Sequence, residues 1–258
     1  MIFQPTQSIL IPEVLNFFAQ TDIVSYTFGS NLPDTTPYLI DAETDKVLTQ
    51  GEVRDGYTRF AAGLQLQLGW TGSEILAVLS WNSLHYAIPV WGALAVGASL
   101  LALNPSFSKD DILLRFRACR PTAFLVAPEF LKVAFEVWTE LGMDHDMLFT
   151  LPSEYDTSVA IEHKVRPHTT LFSDGRFRPL KLTPEESKER ATFIIFSSGT
   201  TGLPKPAKLS HYNYTSMLAR MVADKENLVF GEVSTPYLGL PFWTQPGISH
   251  CLIAGFNM

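Results

Sequence analysis

Ser197, Ser198, Gly199, Thr200, Thr201 and Gly202 follow one another without interruption, and a lysine, Lys205, comes three positions later. Glycines permit positive φ and let a backbone approach a ligand closely. Successive N–H groups in such a loop form a concave nest for anions. The four hydroxyls add donors, and Lys205 adds a compact positive charge. That set suits a polyphosphate. A flexible Ser/Gly connection is the plain alternative. The apolar run at 191–196, which has the length and β-rich make-up of a buried strand, leads straight into the loop and favours phosphate. A Walker-type loop is excluded, because it places Lys and Ser/Thr directly after its second glycine. Here Leu203 and Pro204 follow Gly202, and Pro206 follows Lys205.

The elements that must position this loop alternate along the chain. Residues 12–19 read as a short opening helix, and 38–41 with 46–49 as a hairpin around Glu43, Thr44 and Asp45. Thr49 and Glu52 form a capping box, and the helix after it carries Val53, Tyr57, Phe60, Ala61, Leu64 and Leu68 on one face until Gly69 ends it. Strands are expected at 75–79, 99–103, 123–126 and 147–151. Helices are expected at 84–96, after the Ser108/Asp111 cap with Ile112, Leu113 and Phe116 inward, and at 128–141. Residues 173–190 mix Asp-Gly, Pro179, Pro184 and paired charges, the make-up of a surface connection. After the loop, Tyr214, Met217, Leu218 and Met221 mark an amphipathic helix opened by Ser210. His211 at its start reads as a histidine that caps or packs the helix. Strands and helices alternating at this pace predict an α/β fold, a mostly parallel sheet with helices on both faces. Right-handed crossovers then bring the C-terminal strand ends to one rim, where such sheets bind ligands.

Composition narrows the classes. An apolar share of 46 % with 17 % charged residues supports a globular core rather than disorder. The net charge of −7 argues against nucleic acid or an anionic membrane as the main partner. Cys119 and Cys251 have neither disulfide nor zinc spacing, so no metal site is expected from them. The N-terminus lacks a basic residue ahead of its apolar part and is a poor signal peptide. No Asp, Glu, Lys or Arg lies between Glu74 and Lys109, which is long enough for a membrane span. Asn82, Ser83, His85, Pro89, Gly92 and Gly97 punctuate that stretch, however, and it reads as strand, helix and strand.

From Ser197 to Asn213 the chain resembles, nearly residue for residue, the signature loop of the adenylate-forming superfamily. That family holds acyl-CoA synthetases, 4-coumarate–CoA ligase, firefly luciferase and the adenylation domains of peptide synthetases. Its pattern is Ser-Ser/Gly-Gly-Thr-Thr-Gly-x-Pro-Lys-Gly, then a short strand and Ser/Thr-His-x-Asn. Ser197 to Lys205 fit it, as do Ser210, His211 and Asn213, while Pro206 replaces the usual glycine. The run from Trp91 to Ala98, continuing to Asn104 and Pro105, also resembles the acyl-CoA ligases. Residues 240–247 resemble the family's Pro-Phe-Phe-His-x-x-Gly segment. There Phe242 and Trp243 keep the aromatic wall between nucleotide and acyl group, and Thr244 stands in the histidine's place.

The resemblance implies an N-terminal α/β region at 1–172, a linker-like connection at 173–190 and the phosphate-loop region at 191–258. It implies ATP, Mg2+ and coenzyme A as cofactors and a small carboxylic acid as substrate, in the cytoplasm or the peroxisome. The reaction implied is acid–thiol ligation through an acyl adenylate. The family's adenine-binding segment, ribose-binding Asp, hinge and C-terminal catalytic Lys find no match here, so the sequence is expected to be a truncated domain, inactive alone. Two other readings stand beside the ligase. An amino-acid adenylation domain would use an Asp near Thr244, but no Asp or Glu occurs at 235–258. A non-catalytic remnant would keep the fold without the reaction.

Overall fold

The computed structural model describes residues 21–29, 32–152, 164–197 and 204–223. Among them a seven-stranded sheet has the order β7-β6-β5-β3-β4-β8-β9. Its strands are β3 (Ile75–Leu79), β4 (Ser99–Leu103), β5 (Ala123–Val126), β6 (Leu148–Thr150), β7 (Arg166–Pro167), β8 (Ala191–Ser197) and β9 (Lys205–Ser210). Every pairing from β7 to β8 is parallel, and β8–β9 alone is antiparallel. A separate hairpin pairs β1 (Pro37–Ile40) with β2 (Val47–Thr49).

Alternation along the central strands feeds two cores. Leu76, Val78, Leu100, Leu125 and Phe193 face one side, against α1 (Ile23–Phe28), α2 (Gln50–Leu68), α3 (Ala87–Ala95) and α7 (His211–Ala223). Ala77, Leu79, Leu101, Phe124 and Ile194 face the other, against α4 (Lys109–Cys119) and α5 (Leu131–Glu140). Because both faces are covered, the strands read as continuous apolar runs. On the second side, Phe116, Phe124 and Trp138 pack ring against ring, with Phe116 and Phe124 centroids 4.8 Å apart. Trp138 keeps its indole N–H satisfied by donating to the Asp144 carbonyl at 2.7 Å.

Helices α2 and α3 cross closely through glycine. A Cβ on Gly92 would lie 2.7 Å from Phe60 Cδ1 and 3.1 Å from the Tyr57 carbonyl oxygen. Nearby, a Cβ on Gly63 would collide with the carbonyl oxygen of Leu171. The expected capping boxes form, Thr49 with Glu52 and Ser108 with Asp111, and Gly69 closes α2 in the left-handed region at φ 68°. The apolar stretch before Lys109 divides into β3, α3 and β4, and no helix of the described residues is long and apolar enough to cross a membrane.

Boundaries depart from expectation where backbone geometry tightens. The helix expected over 84–96 opens as a 3₁₀ turn, Leu84–Tyr86, before α3. Pro89 falls in the first turn of α3, where its missing N–H has no intrahelical partner to lose. The 128–141 helix likewise begins as a 3₁₀ turn, Pro128–Phe130. Met147 ends a third such turn, so the strand there shortens to β6. Residues 173–190 hold on to the frame at several points. The Gln65 amide exchanges hydrogen bonds with the Arg178 backbone at 2.7 and 2.9 Å, and Leu180 N–H donates to the Ala95 carbonyl at 2.9 Å. The same stretch contains α6 (Pro184–Glu189), capped by Thr183 and Glu186. The opening helix read at 12–19 lies outside the described residues.

Candidate anion-binding site

β8 is the strand that presents the loop. It pairs with β4 through Leu100↔Phe193 and Leu101↔Ile194, which fixes its direction, and it ends at Ser197 on the C-terminal rim of the parallel strands. β9 returns from the rim, and its first residue, Lys205, is the Cα partner of Ser197. Two of the expected site residues are therefore brought side by side at the rim where open α/β sheets take ligands. Lys205 is exposed, and among the described residues no carboxylate pairs with it, so its charge is available to an anion. Ser198, Gly199, Thr200, Thr201 and Gly202 lie outside the described residues, as do Phe242, Trp243 and Thr244.

Pro206 pairs with Phe196 and is exposed on β9, the last strand of the described sheet. An edge strand tolerates proline because a missing N–H on its outer side removes no ladder bond. Lys205, Pro206 and Lys208 together blunt that edge against further pairing.

The Ser-His-x-Asn stretch organises the turn from β9 into α7. Ser210 N–H and O–H both donate to Asn213 Oδ1, at 2.8 and 3.0 Å, and Asn213 N–H donates back to Ser210 Oγ at 3.3 Å. This is a reciprocal cap with Asn in the place of Glu. His211 is fully buried, and its Nδ1 accepts the N–H of Ile23 at 3.1 Å. It thereby supplies an acceptor to the first, otherwise orphan, donor of α1. Burial, with Arg190 close by, pushes its pKa down to about 3, so the ring is neutral and holds its proton on Nε2. The ring anchors two helices to one another. Tyr214, one turn on, packs its ring 4.8 Å from Phe193 at the root of β8.

At the same rim, Trp81 follows β3 and leaves half its surface exposed beside Phe130, whose ring is 5.9 Å away. An open cleft lined by Asp22, Phe28, Tyr57, Ala95, Phe177 and Leu180 lies elsewhere. Ala95 ends α3 next to the start of β4, so that cleft opens at the opposite end of the strands from the loop. None of the described His, Cys, Asp or Glu residues gather into a group of three able to hold a metal ion.

A family model described as AMP-binding enzyme matches residues 25–256 of this chain. The chain belongs to the AMP-binding enzyme family. Among curated relatives, the chain is 26 % identical to phenylacetyl-CoA ligase epaB of Aspergillus niger over 251 residues, covering 94 % of this chain and 43 % of that protein. It is 26 % identical to 4-coumarate–CoA ligase 3 of Arabidopsis thaliana over 193 residues, covering 74 % of this chain and 32 % of that protein. The chain thus spans less than half the length of these relatives. In fold it is similar to a natural red-emitting luciferase from Phrixothrix hirtus, with a TM-score of 0.76 at 22 % identity, covering 92 % of this chain and 58 % of that one.

Proposed function

We propose that this protein is an ATP-dependent carboxylate–CoA ligase that activates an aryl or acyl acid as its adenylate. The observation that carries the reading is the pairing of Ser197 with Lys205 at the loop end of β8 and β9, within a chain of the AMP-binding family. In the first step a carboxylate oxygen of the acid attacks the α-phosphorus of ATP. A new P–O bond forms, the bond to the β-phosphate oxygen breaks, and pyrophosphate leaves. In the second step the thiol of coenzyme A attacks the acyl carbonyl, loses its proton, and AMP departs. Charge builds on the leaving pyrophosphate in the first step, and preorganised donors near that group lower the barrier. Lys205 supplies the cation, Ser197, Ser198, Thr200 and Thr201 the hydroxyl donors, and Gly199 and Gly202 the close backbone approach. Phe242, Trp243 and Thr244 are assigned to the acyl side of the same site. The relatives named for phenylacetyl and 4-coumarate support an aryl acid as the first substrate to try. Magnesium would accompany the nucleotide.

Acid-dependent ATP–pyrophosphate exchange tests the reading, with a panel of aryl and fatty acids against a control lacking acid. In its full-length form the protein should exchange with at least one acid. Lys205→Ala should weaken nucleotide binding by roughly ten- to a hundredfold, the worth of a charge-assisted hydrogen bond, with an unchanged thermal midpoint. A midpoint that falls with Lys205→Ala would mean that the lysine holds the hairpin rather than the phosphate.

A further inference from the structure

A buried cation lies under the end of β8. Side chains on a helix lean toward its N-terminus, and Arg115 on α4 follows that rule. Its guanidinium reaches back a full turn, where Nη1–H donates to the Asp111 carbonyl oxygen at 2.7 Å and lies 3.6 Å from Asp111 Oδ1. The same group rests on Phe107, 3.7 Å from the ring centroid, with the Phe196 centroid 5.2 Å away. Arg115 is only 6 % exposed, and its Nε–H has no acceptor among the described residues. The Asp111 carboxylate is a weak counter-charge. It is half exposed, and its Oδ2 already accepts the Ser108 N–H and O–H in the cap of α4.

Packing does not require a cation at this position. Ile112, Leu113 and Phe116 already provide the apolar face of α4. An unbranched apolar side chain would fill the volume between two rings, whereas a charge with incomplete partners opposes folding. Places where a local rule is broken without structural gain are where function is expected. The location fits one. Phe196 stands next to Ser197 on β8 and is the partner of Pro206, which stands next to Lys205 on β9. The guanidinium therefore acts on the strand pair one residue from each described end of the phosphate loop.

We propose that Arg115 is a positioning residue of the anion site, a second cation that touches no ligand. It lies within cation–π range of Phe196 and lends positive potential to the strand ends that carry Ser197 and Lys205. The inference rests on the reading of that site as a phosphate binder. At an effective dielectric of about 20, a unit charge about 10 Å from an anion changes binding about tenfold.

The test titrates inorganic pyrophosphate into the intact protein by calorimetry and records thermal midpoints without ligand. Arg115→Met should weaken pyrophosphate about tenfold while leaving the ligand-free midpoint unchanged or higher. Arg115→Lys keeps the charge and should retain most of the affinity. Added salt should narrow the gap between wild type and Arg115→Met. If Arg115→Met fails to fold, Arg115→Gln replaces it as the neutral variant. A neutral variant that binds like wild type overturns the inference, as does a lysine variant that binds no better than the neutral one. If the wild type binds no pyrophosphate and Lys205→Ala is indistinguishable from it, the phosphate reading itself falls and takes this inference with it. Loss of binding in Lys205→Ala alone, with Arg115→Met unaffected, removes only the role of Arg115.

Discussion

In β3, Leu76, Ala77, Val78 and Leu79 are each at most 2 % exposed, with helices on both faces of the sheet. In β9 of the same sheet, Lys205, Pro206, Ala207 and Lys208 are all exposed. The centre is a frame whose side chains answer to neighbours on every side. The edge carries charge and a proline, answers mainly to solvent, and borders the loop. Changes at the centre should therefore register as lost stability. Changes at the edge should leave the fold nearly intact.

The largest effect should come from emptying the centre. Phe124→Ala removes a ring packed against both Phe116 and Trp138. The expected loss is about 3–5 kcal/mol in urea unfolding. A loss below 1 kcal/mol would mean that the second core is loosely packed, and the contrast with β9 would shrink. Acid should come next. His168, tilted against Phe60 and edge-on to Phe172, is pushed by burial down to about 4, and His211 to about 3. Both folded-state values lie below the 6.5 of an unburied histidine, so the unfolded chain takes up protons first as pH falls. Stability is complete above pH 6.5 and declines below it, by about 2 kcal/mol per ring at pH 5. Urea midpoints that stay level between pH 7 and pH 5 would show that water reaches both rings. Pro206→Gly should be the mildest change. It frees the unfolded chain and lowers stability by about 0.4–1 kcal/mol. A larger loss in thermal unfolding would move Pro206 from the edge into the frame.

How much was legible in the sequence follows the same division. The strands at 75–79, 99–103 and 123–126 stood out because residues buried on both faces form unbroken apolar runs. The caps at Thr49/Glu52 and Ser108/Asp111 stood out because their chemistry is local. Helix α6 was passed over although Thr183, Pro184 and Glu186 spell the same cap, because Pro-Glu-Glu-Ser-Lys-Glu has no apolar stripe. Helix α1, six residues behind Asp22, is too short to show a period. Ser197 and Lys205, candidates from their types and spacing, are cross-strand partners on β8 and β9. Arg115 was not a candidate, since Leu-Leu-Arg-Phe-Arg reads as an ordinary helix with one solvated charge after another. Its burial depends in part on Phe196, far along the chain, besides the nearer Phe107. The acceptor role of His211 was hidden for the same reason, because its partner Ile23 lies 188 residues away.

The position of β8 also bears on how the chain comes together during synthesis. β4 pairs with β3 on one side and with β8 on the other, but β5, β6 and β7 are all made before β8. At roughly 5–20 residues per second, one side of β4 waits several seconds for its neighbour to emerge. Through that interval Leu100 and Leu101 border an open row of backbone donors and acceptors in the middle of what will become the sheet. The strand that ends at Ser197 is thus also the one that covers this row, and until it arrives β4 is the open edge of the nascent sheet.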